Sequence, residues 1–148
     1  MNNLRRNLLK GFATLAALTL LPLRALAAEW NKVAFDAKTL PEALKGAGIQ
    51  NAIESKDIVI RAPDIAENSA VVPVEVNCKI PNTRSISIFA DKNPQPLVAQ
   101  FNIADGVEPY VSTRIKMGDT GNIRVIVQAD GKNYVAMKEV KVTIGGCG

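Results

Sequence analysis

Two cysteines, Cys78 and Cys147, are the strongest candidate nucleophiles in this 148-residue chain, which has no histidine at all. Without an imidazole the chain cannot build a Ser-His-Asp triad, a Cys-His dyad or a histidine-ligated zinc or copper site. A blue-copper centre needs two histidines beside its cysteine, so Cys147 with Met117 or Met137 cannot supply one. The cysteines lie 69 positions apart, which excludes a CxxC redox motif. Aspartates and glutamates are scattered among strands and turns, with no cluster that suggests paired acid–base carboxylates. No catalytic residue and no metal ligand set is therefore expected.

Cys147 has a setting of its own, Gly145-Gly146-Cys147-Gly148, beyond the last apolar position at Ile144. Gly145, Gly146 and Gly148 carry no side chains and impose little backbone preference, so the segment 145–148 is expected to be a slim, flexible arm. Fully extended, three residues past Ile144 reach about 10 Å. A thiol on such an arm can enter a narrow channel in another protein and present a bound group to chemistry buried there. It has no fixed neighbours to activate it or to stabilise an oxyanion, and the carboxylate of Gly148 is expected to disfavour the thiolate. Two other readings stand beside the carrier: a disordered tail with an incidental cysteine, and a disulfide from Cys147 to Cys78. Cys78 shares parity with Val74, Val76 and Ile80 and is expected to face the core as a small hydrophobe, a disulfide being the alternative.

The N-terminus bears on the compartment. Arg5, Arg6 and Lys10 precede an apolar run of 13 residues, Gly11 to Leu23, followed by Arg24 and Ala25-Leu26-Ala27. A basic start, a short apolar middle and small residues before a cut site make a secretory signal over residues 1–27. The run is too short for a membrane-spanning helix, which takes about 20 residues. The paired arginines followed by Lys10 match the twin-arginine export signature, a general secretion signal being the other reading. Removing the signal takes four of the 18 basic residues and none of the 14 acidic ones, leaving 14 of each. The basic balance is thus a transport feature, and neither nucleic-acid binding nor membrane insertion after processing is expected.

The elements that must position the cysteines follow in order. Residues 28–56 read as a helical segment: Thr39-Leu40-Pro41-Glu42 has capping-box spacing, and Gly46 and Gly48 end the helix. Its apolar face, Phe35, Leu40, Ala43, Leu44 and Ala47, suits a lid on one end of the core or a partner-contacting arm. Residues 57–144 alternate with period two between turn residues. Runs begin at Ile58, Ala70, Ser85, Leu97, Tyr110, Ile123 and Asn133, with Asp130-Gly131 as a tight hairpin. About seven short strands without intervening helices predict an all-β, immunoglobulin-like antiparallel β-sandwich.

Several of these stretches together resemble the SoxY family of the periplasmic Sox thiosulfate-oxidation system. They are the tail Ile144-Gly145-Gly146-Cys147-Gly148; Ala62-Pro63-Asp64-Ile65-Ala66-Glu67-Asn68 with Val71-Val72-Pro73-Val74; Pro96-Leu97-Val98-Ala99; Ser112-Thr113-Arg114-Ile115-Lys116-Met117; and Lys138-Glu139-Val140-Lys141-Val142. The resemblance implies pairing with a SoxZ-like β-sandwich subunit and covalent attachment of sulfur intermediates to Cys147 on the Gly145, Gly146, Gly148 arm. It implies three enzymes as further partners: a haem-containing enzyme that couples thiosulfate to the cysteine, a hydrolase that releases sulfate, and a sulfane dehydrogenase. No cofactor beyond the covalently bound sulfur is expected. The family tail commonly carries two glycines after the cysteine, whereas this chain has Gly148 alone. The competing class is an exported immunoglobulin-like binding module anchored by a disulfide through its tail.

Overall fold

A computed structural model describes residues 31–143 of the chain. Two short helices precede nine strands. They are α1 (Lys32–Asp36) and α2 (Leu40–Gly46), then β1 (Ile53–Glu54), β2 (Ile58–Arg61), β3 (Ile65–Ala66), β4 (Val72–Cys78) and β5 (Thr83–Ala90). β6 (Leu97–Asn102), β7 (Tyr110–Ile115), β8 (Gly121–Ala129) and β9 (Lys132–Val142) complete the set. The larger sheet runs β1-β9-β8-β5-β6, with β3 also on β9, and the smaller runs β2-β4-β7.

Chain order within the sheets makes this a Greek-key sandwich. The chain leaves the smaller sheet after β4, returns to it as β7, and crosses once more to β8. The three-stranded sheet therefore faces the four longer strands β9, β8, β5 and β6 of the six-stranded one, in the manner of an immunoglobulin domain. The expected strand count needs correction, because β1 and β3 are additional two-residue strands, and both pair with β9 in parallel rather than antiparallel. A two-residue pairing leaves no alternating pattern in the sequence, and β1 falls within the segment read as helical.

Between the sheets lies the main core. Val72, Val74, Val76 and Cys78 of β4 point inward, as alternation demands, against Ile86, Ile88, Val125, Val127 and Val140 of the larger sheet. Pro73 is tolerated in this strand because β2 pairs only with residues 75 to 78, leaving β4 a neighbour on one side at Pro73. At the β8–β9 hairpin, Asp130 and Gly131 both have positive φ, 49° and 72°, which a two-residue turn of this kind requires.

The helices occupy a different place from the lid expected at one end. They lie on the outer face of the larger sheet, where Ala34, Ala43 and Ile49 join Phe89, Leu97, Ile126 and Val135 in a second apolar layer. That cover explains Ser85 and Ser87 of β5, which sit opposite the core yet are 4% and 2% exposed. Ser85 meets its polar requirement by donating to Gln128 Oε1 at 2.9 Å. Thr39 caps α2 by accepting from the Glu42 amide, as its spacing predicts. Gly46 does more than end that helix. A Cβ there would stand 2.9 Å from the Ala34 backbone, so α1 and α2 touch where neither can carry a larger group.

Candidate functional site

Cys147 and the glycines Gly145, Gly146 and Gly148 lie outside the described residues, which reach Thr143. What the structure does define is the root from which that segment continues. β9 pairs with β8 from Ala129↔Lys132 to Gly121↔Val140, where the backbone ladder stops. The strand nevertheless continues to Val142, held by side chains and loops on both of its edges.

On the β8 side, the Val142 amide donates to Thr120 Oγ1 at 2.9 Å, and the hydroxyl returns to the Val142 carbonyl at 3.4 Å. The opposite edge is secured by β3 and the residue before it. Lys141 N donates to the Asp64 carbonyl at 2.9 Å, and Thr143 N donates to the Ala66 carbonyl at 3.2 Å. The Thr143 hydroxyl reaches the same Ala66 oxygen at 3.3 Å. Asp64 is tied a second time, its carboxylate accepting from Lys138 Nζ at 2.8 Å.

The loops that surround this root brace one another. Met117 N donates to the Ser69 carbonyl at 2.8 Å, linking the segment after β3 to the end of β7. Asn93 bridges to the same region, donating to the Lys116 carbonyl and accepting from Gly118 N, both at 2.7 Å. Asn68 closes a local turn by accepting from Ala70 N at 2.9 Å. Backbone groups past the end of a sheet ladder would otherwise depend on water, so this network is what carries strand order to the last described residue.

Cys78 is placed where its parity predicts. It is free, 5% exposed and packed in the main core. Its sulfur lies 3.5 Å from Thr83 Oγ1 and accepts from Ile80 N at 3.4 Å. A buried thiol with both contacts internal is a packing group rather than a reagent. Among the described residues no group of three or more His, Cys, Asp or Glu is placed to hold a metal ion. None of their helices is long and apolar enough to cross a membrane.

Sequence reasoning singled out the cysteine and its glycines but missed Thr120, Ala66 and Thr143. The signal for Thr120 was faint, a β-branched hydroxyl inside the turn Gly118-Asp119-Thr120-Gly121 just before a strand. Nothing local in the sequence shows which distant amide that hydroxyl would meet.

Comparison with known proteins then bears on what the chain is for. No curated protein matches the chain. Among solved structures, it is similar to the sulfur carrier protein SoxY from Chlorobium limicola f thiosulfatophilum. The two share 47% sequence identity and a TM-score of 0.65, over 72% of this chain and 97% of that one. The family model described as sulfur oxidation protein SoxY matches residues 44–147, a span that runs from α2 through the whole sandwich and includes Cys147. On that match, which covers well over half of its length, the chain belongs to the SoxY family.

Proposed function

We infer that this chain is a sulfur-carrier protein of sulfur oxidation, and we propose Cys147 as the atom-bearing site of the cargo. The observation that carries the reading is the family match over residues 44–147, which takes in the Gly145-Gly146-Cys147 segment. The ordered strand supports it: β9 is secured on the β8 side through Val142 and on the β3 side through Thr143, so the segment that leads to Cys147 starts from a fixed root.

Loading and unloading follow from thiol chemistry. Joining thiosulfate to the Cys147 thiol forms an S–S bond, releases the thiol proton and gives up two electrons, so the partner that loads the cargo must be a redox enzyme. A haem enzyme meets that need. Water then cleaves the S–SO3 bond, releasing sulfate and leaving a persulfide on Cys147. That step consumes no electrons and suits a hydrolase. Oxidation of the remaining sulfane sulfur calls for a second redox partner, such as a sulfane dehydrogenase. The chain acts throughout as a non-catalytic subunit, with a SoxZ-like sandwich beside it. The signal-like residues 1–27 favour work in the periplasm after twin-arginine export.

Intact mass of the protein purified from thiosulfate-grown cells tests this directly. Sulfur-containing adducts on Cys147 that a reductant removes are expected. A stable protein–protein disulfide as the sole modification would instead favour an anchored binding module. Cys147→Ser is expected to abolish thiosulfate oxidation, and a variant that still supports it would reject the carrier reading.

A further inference from the structure

We propose that the edge of β9 between β1 and β3 docks a short extended segment of a partner polypeptide, one that carries an apolar and a basic residue two positions apart. β1 pairs with β9 at Tyr134 and Val135, and β3 pairs with it at Lys141 and Val142. The five residues between, 136–140, keep an unbroken ladder with β8 on their other side. Strand geometry decides which of their backbone groups face the opening. Along this edge the Val135 carbonyl accepts from Ser55 N at 3.0 Å, and Lys141 N donates to the Asp64 carbonyl at 2.9 Å. Every second residue of a strand presents its N–H and its C=O to the same side, so Met137 and Glu139 present theirs to this edge too. Among the described residues those four groups have no hydrogen-bond partner. They repeat about every 7 Å, which an extended chain laid alongside matches group for group.

Sheet edges are normally blunted by proline or a bulge. Pro96 stands just before β6, whose ladder also breaks between Ile88 and Phe89, but 136–140 has neither device. Side chains at the opening say what the docked segment carries. Met137 is 45% exposed and lines a hollow of about 440 Å3 with Glu54, Ser55, Lys56, Val135 and Ala136. Glu139, two positions on and on the same face, is exposed and has no ion pair among the described residues, and neither has Glu54 at the end of β1. Side chains opposed across a sheet pair best as apolar with apolar and acid with base, so an apolar residue belongs opposite Met137 and a cation opposite Glu139. Lys56 in the hollow and Lys141 beyond Glu139 confine the favoured cation to that one position. Length argues for a loop or tail rather than the edge of a folded partner sheet. Five residues span about 17 Å, and β1 and β3 close both ends.

Amide exchange in the full chain reads the opening directly. In the free protein the Met137 and Glu139 amides should exchange about tenfold faster than those of Ala136 and Lys138, which face β8. The probes are Ac-Thr-Val-Thr-Lys-Thr-NH2 and its reverse, Ac-Thr-Lys-Thr-Val-Thr-NH2, one for each strand direction. One of them should slow both edge amides by about fivefold once about four-fifths of the chain is occupied, and the same peptides with Glu for Lys should not. Glu139→Lys should exchange that preference. Glu139→Pro removes an edge donor and spares the groups that face β8, so it should abolish the effect while the Ala136 and Lys138 amides stay protected. Met137→Asp, which keeps every backbone group, should weaken the effect in the same way should Glu139→Pro fold poorly. Slow exchange of Met137 and Glu139 in the free chain would mean that another part of this chain fills the opening, and would overturn the proposal. So would peptides that slow neither amide, equal slowing by the Lys and Glu peptides, or slowing confined to the open edge of β7. None of these outcomes involves Cys147, so the carrier reading stands or falls separately.

Discussion

Lys138 Nζ donates to Asp64 Oδ1 across 2.8 Å, joining the loop after β2 to the last strand of the sandwich. The hydrogen bond and then the lysine's charge hold the Asp64 carboxyl below its ordinary value. Asp64 is 89% exposed on its side chain, so solvent and salt screen the pair. A carboxyl depressed in the folded state adds stability above its unfolded pKa of about 3.9 and loses it as pH falls through the lower folded value. Lys138→Met should therefore move the Asp64 midpoint upward, toward that ordinary value, in a carboxyl NMR titration. An unmoved midpoint would show that the pair does not form in solution. The main-chain bond from Lys141 N to the Asp64 carbonyl does not titrate, so β3 should stay docked at acidic pH.

Arg124 and Asp91 form the most enclosed ion pair among the described residues, with side chains 22% and 14% exposed and two hydrogen bonds of 2.9 and 3.2 Å. Fork-shaped contact of this sort gives each carboxylate oxygen a donor. Asp91→Ala leaves a half-buried guanidinium without its partner, and the expected cost is about 2–3 kcal/mol in denaturant unfolding. The double variant Asp91→Ala with Arg124→Met should recover part of that loss. A single variant within about 0.5 kcal/mol of the parent would mean that water serves Arg124 as well as Asp91 does.

The sandwich was legible because its strands are half-buried and alternate. β4 reads Val72, Val74, Val76, Cys78 on one face, and the burial of those positions follows the reading. The helical layer was legible only as a segment, and its site was not. Its position was nonetheless written into the sheet. Ile88-Phe89-Ala90 and Val125-Ile126-Val127 are continuous apolar runs, and a run without alternation belongs to a strand covered on both faces. Phe89 and Ile126 are the out-of-phase members, and they are what the helices cover.

The candidate site divides in another way. Cys147 and its glycines stood out by residue type, since a cysteine between glycines is chemically conspicuous wherever it falls. Thr120 carries no such mark. Its role arises from where β8 stops and β9 continues, a relation between residues 22 positions apart that no local pattern encodes. Two-residue strands such as β3 are invisible for the same reason. The pairing of β3 is set by Lys141 and Val142, far along the chain.

Gly46 gives a sharp test of the helical layer. A Cβ at this position meets the Ala34 Cα and N atoms at 2.9 Å, and backbone cannot swing aside as a side chain can. Asn31 reinforces the contact, accepting from Ala34 N at 3.2 Å and donating to the Gly46 carbonyl at 3.0 Å. Gly46→Ala would raise helix propensity in isolation, by up to about 1 kcal/mol. In the protein it should instead destabilise by about 1–3 kcal/mol, because α1 must move off α2. A stabilised variant in thermal unfolding would show that the two helices have room between them.

The arm itself is tested by length rather than by chemistry. Deleting Gly145 and Gly146 keeps Cys147 and shortens its reach from Ile144 by about 7 Å. Cys78 is 5% exposed, so in the native protein a thiol reagent should modify Cys147 alone, and Cys78 should react only in denaturant. That makes labelling a clean measure of whether the shortened arm still presents its thiol. Labelling is expected to match the parent, since a small reagent needs no reach; on the carrier reading, thiosulfate oxidation should fall by more than tenfold, because the shortened segment would no longer reach a site buried in a partner. Oxidation at the parental rate would mean that the enzymes come to the cysteine at the surface of the sandwich, and that the glycines are not a tether. Loss of labelling together with oxidation would mean that the deletion buries the thiol, leaving Gly145→Ala with Gly146→Ala, which keeps the length and stiffens the backbone, as the variant that separates reach from flexibility.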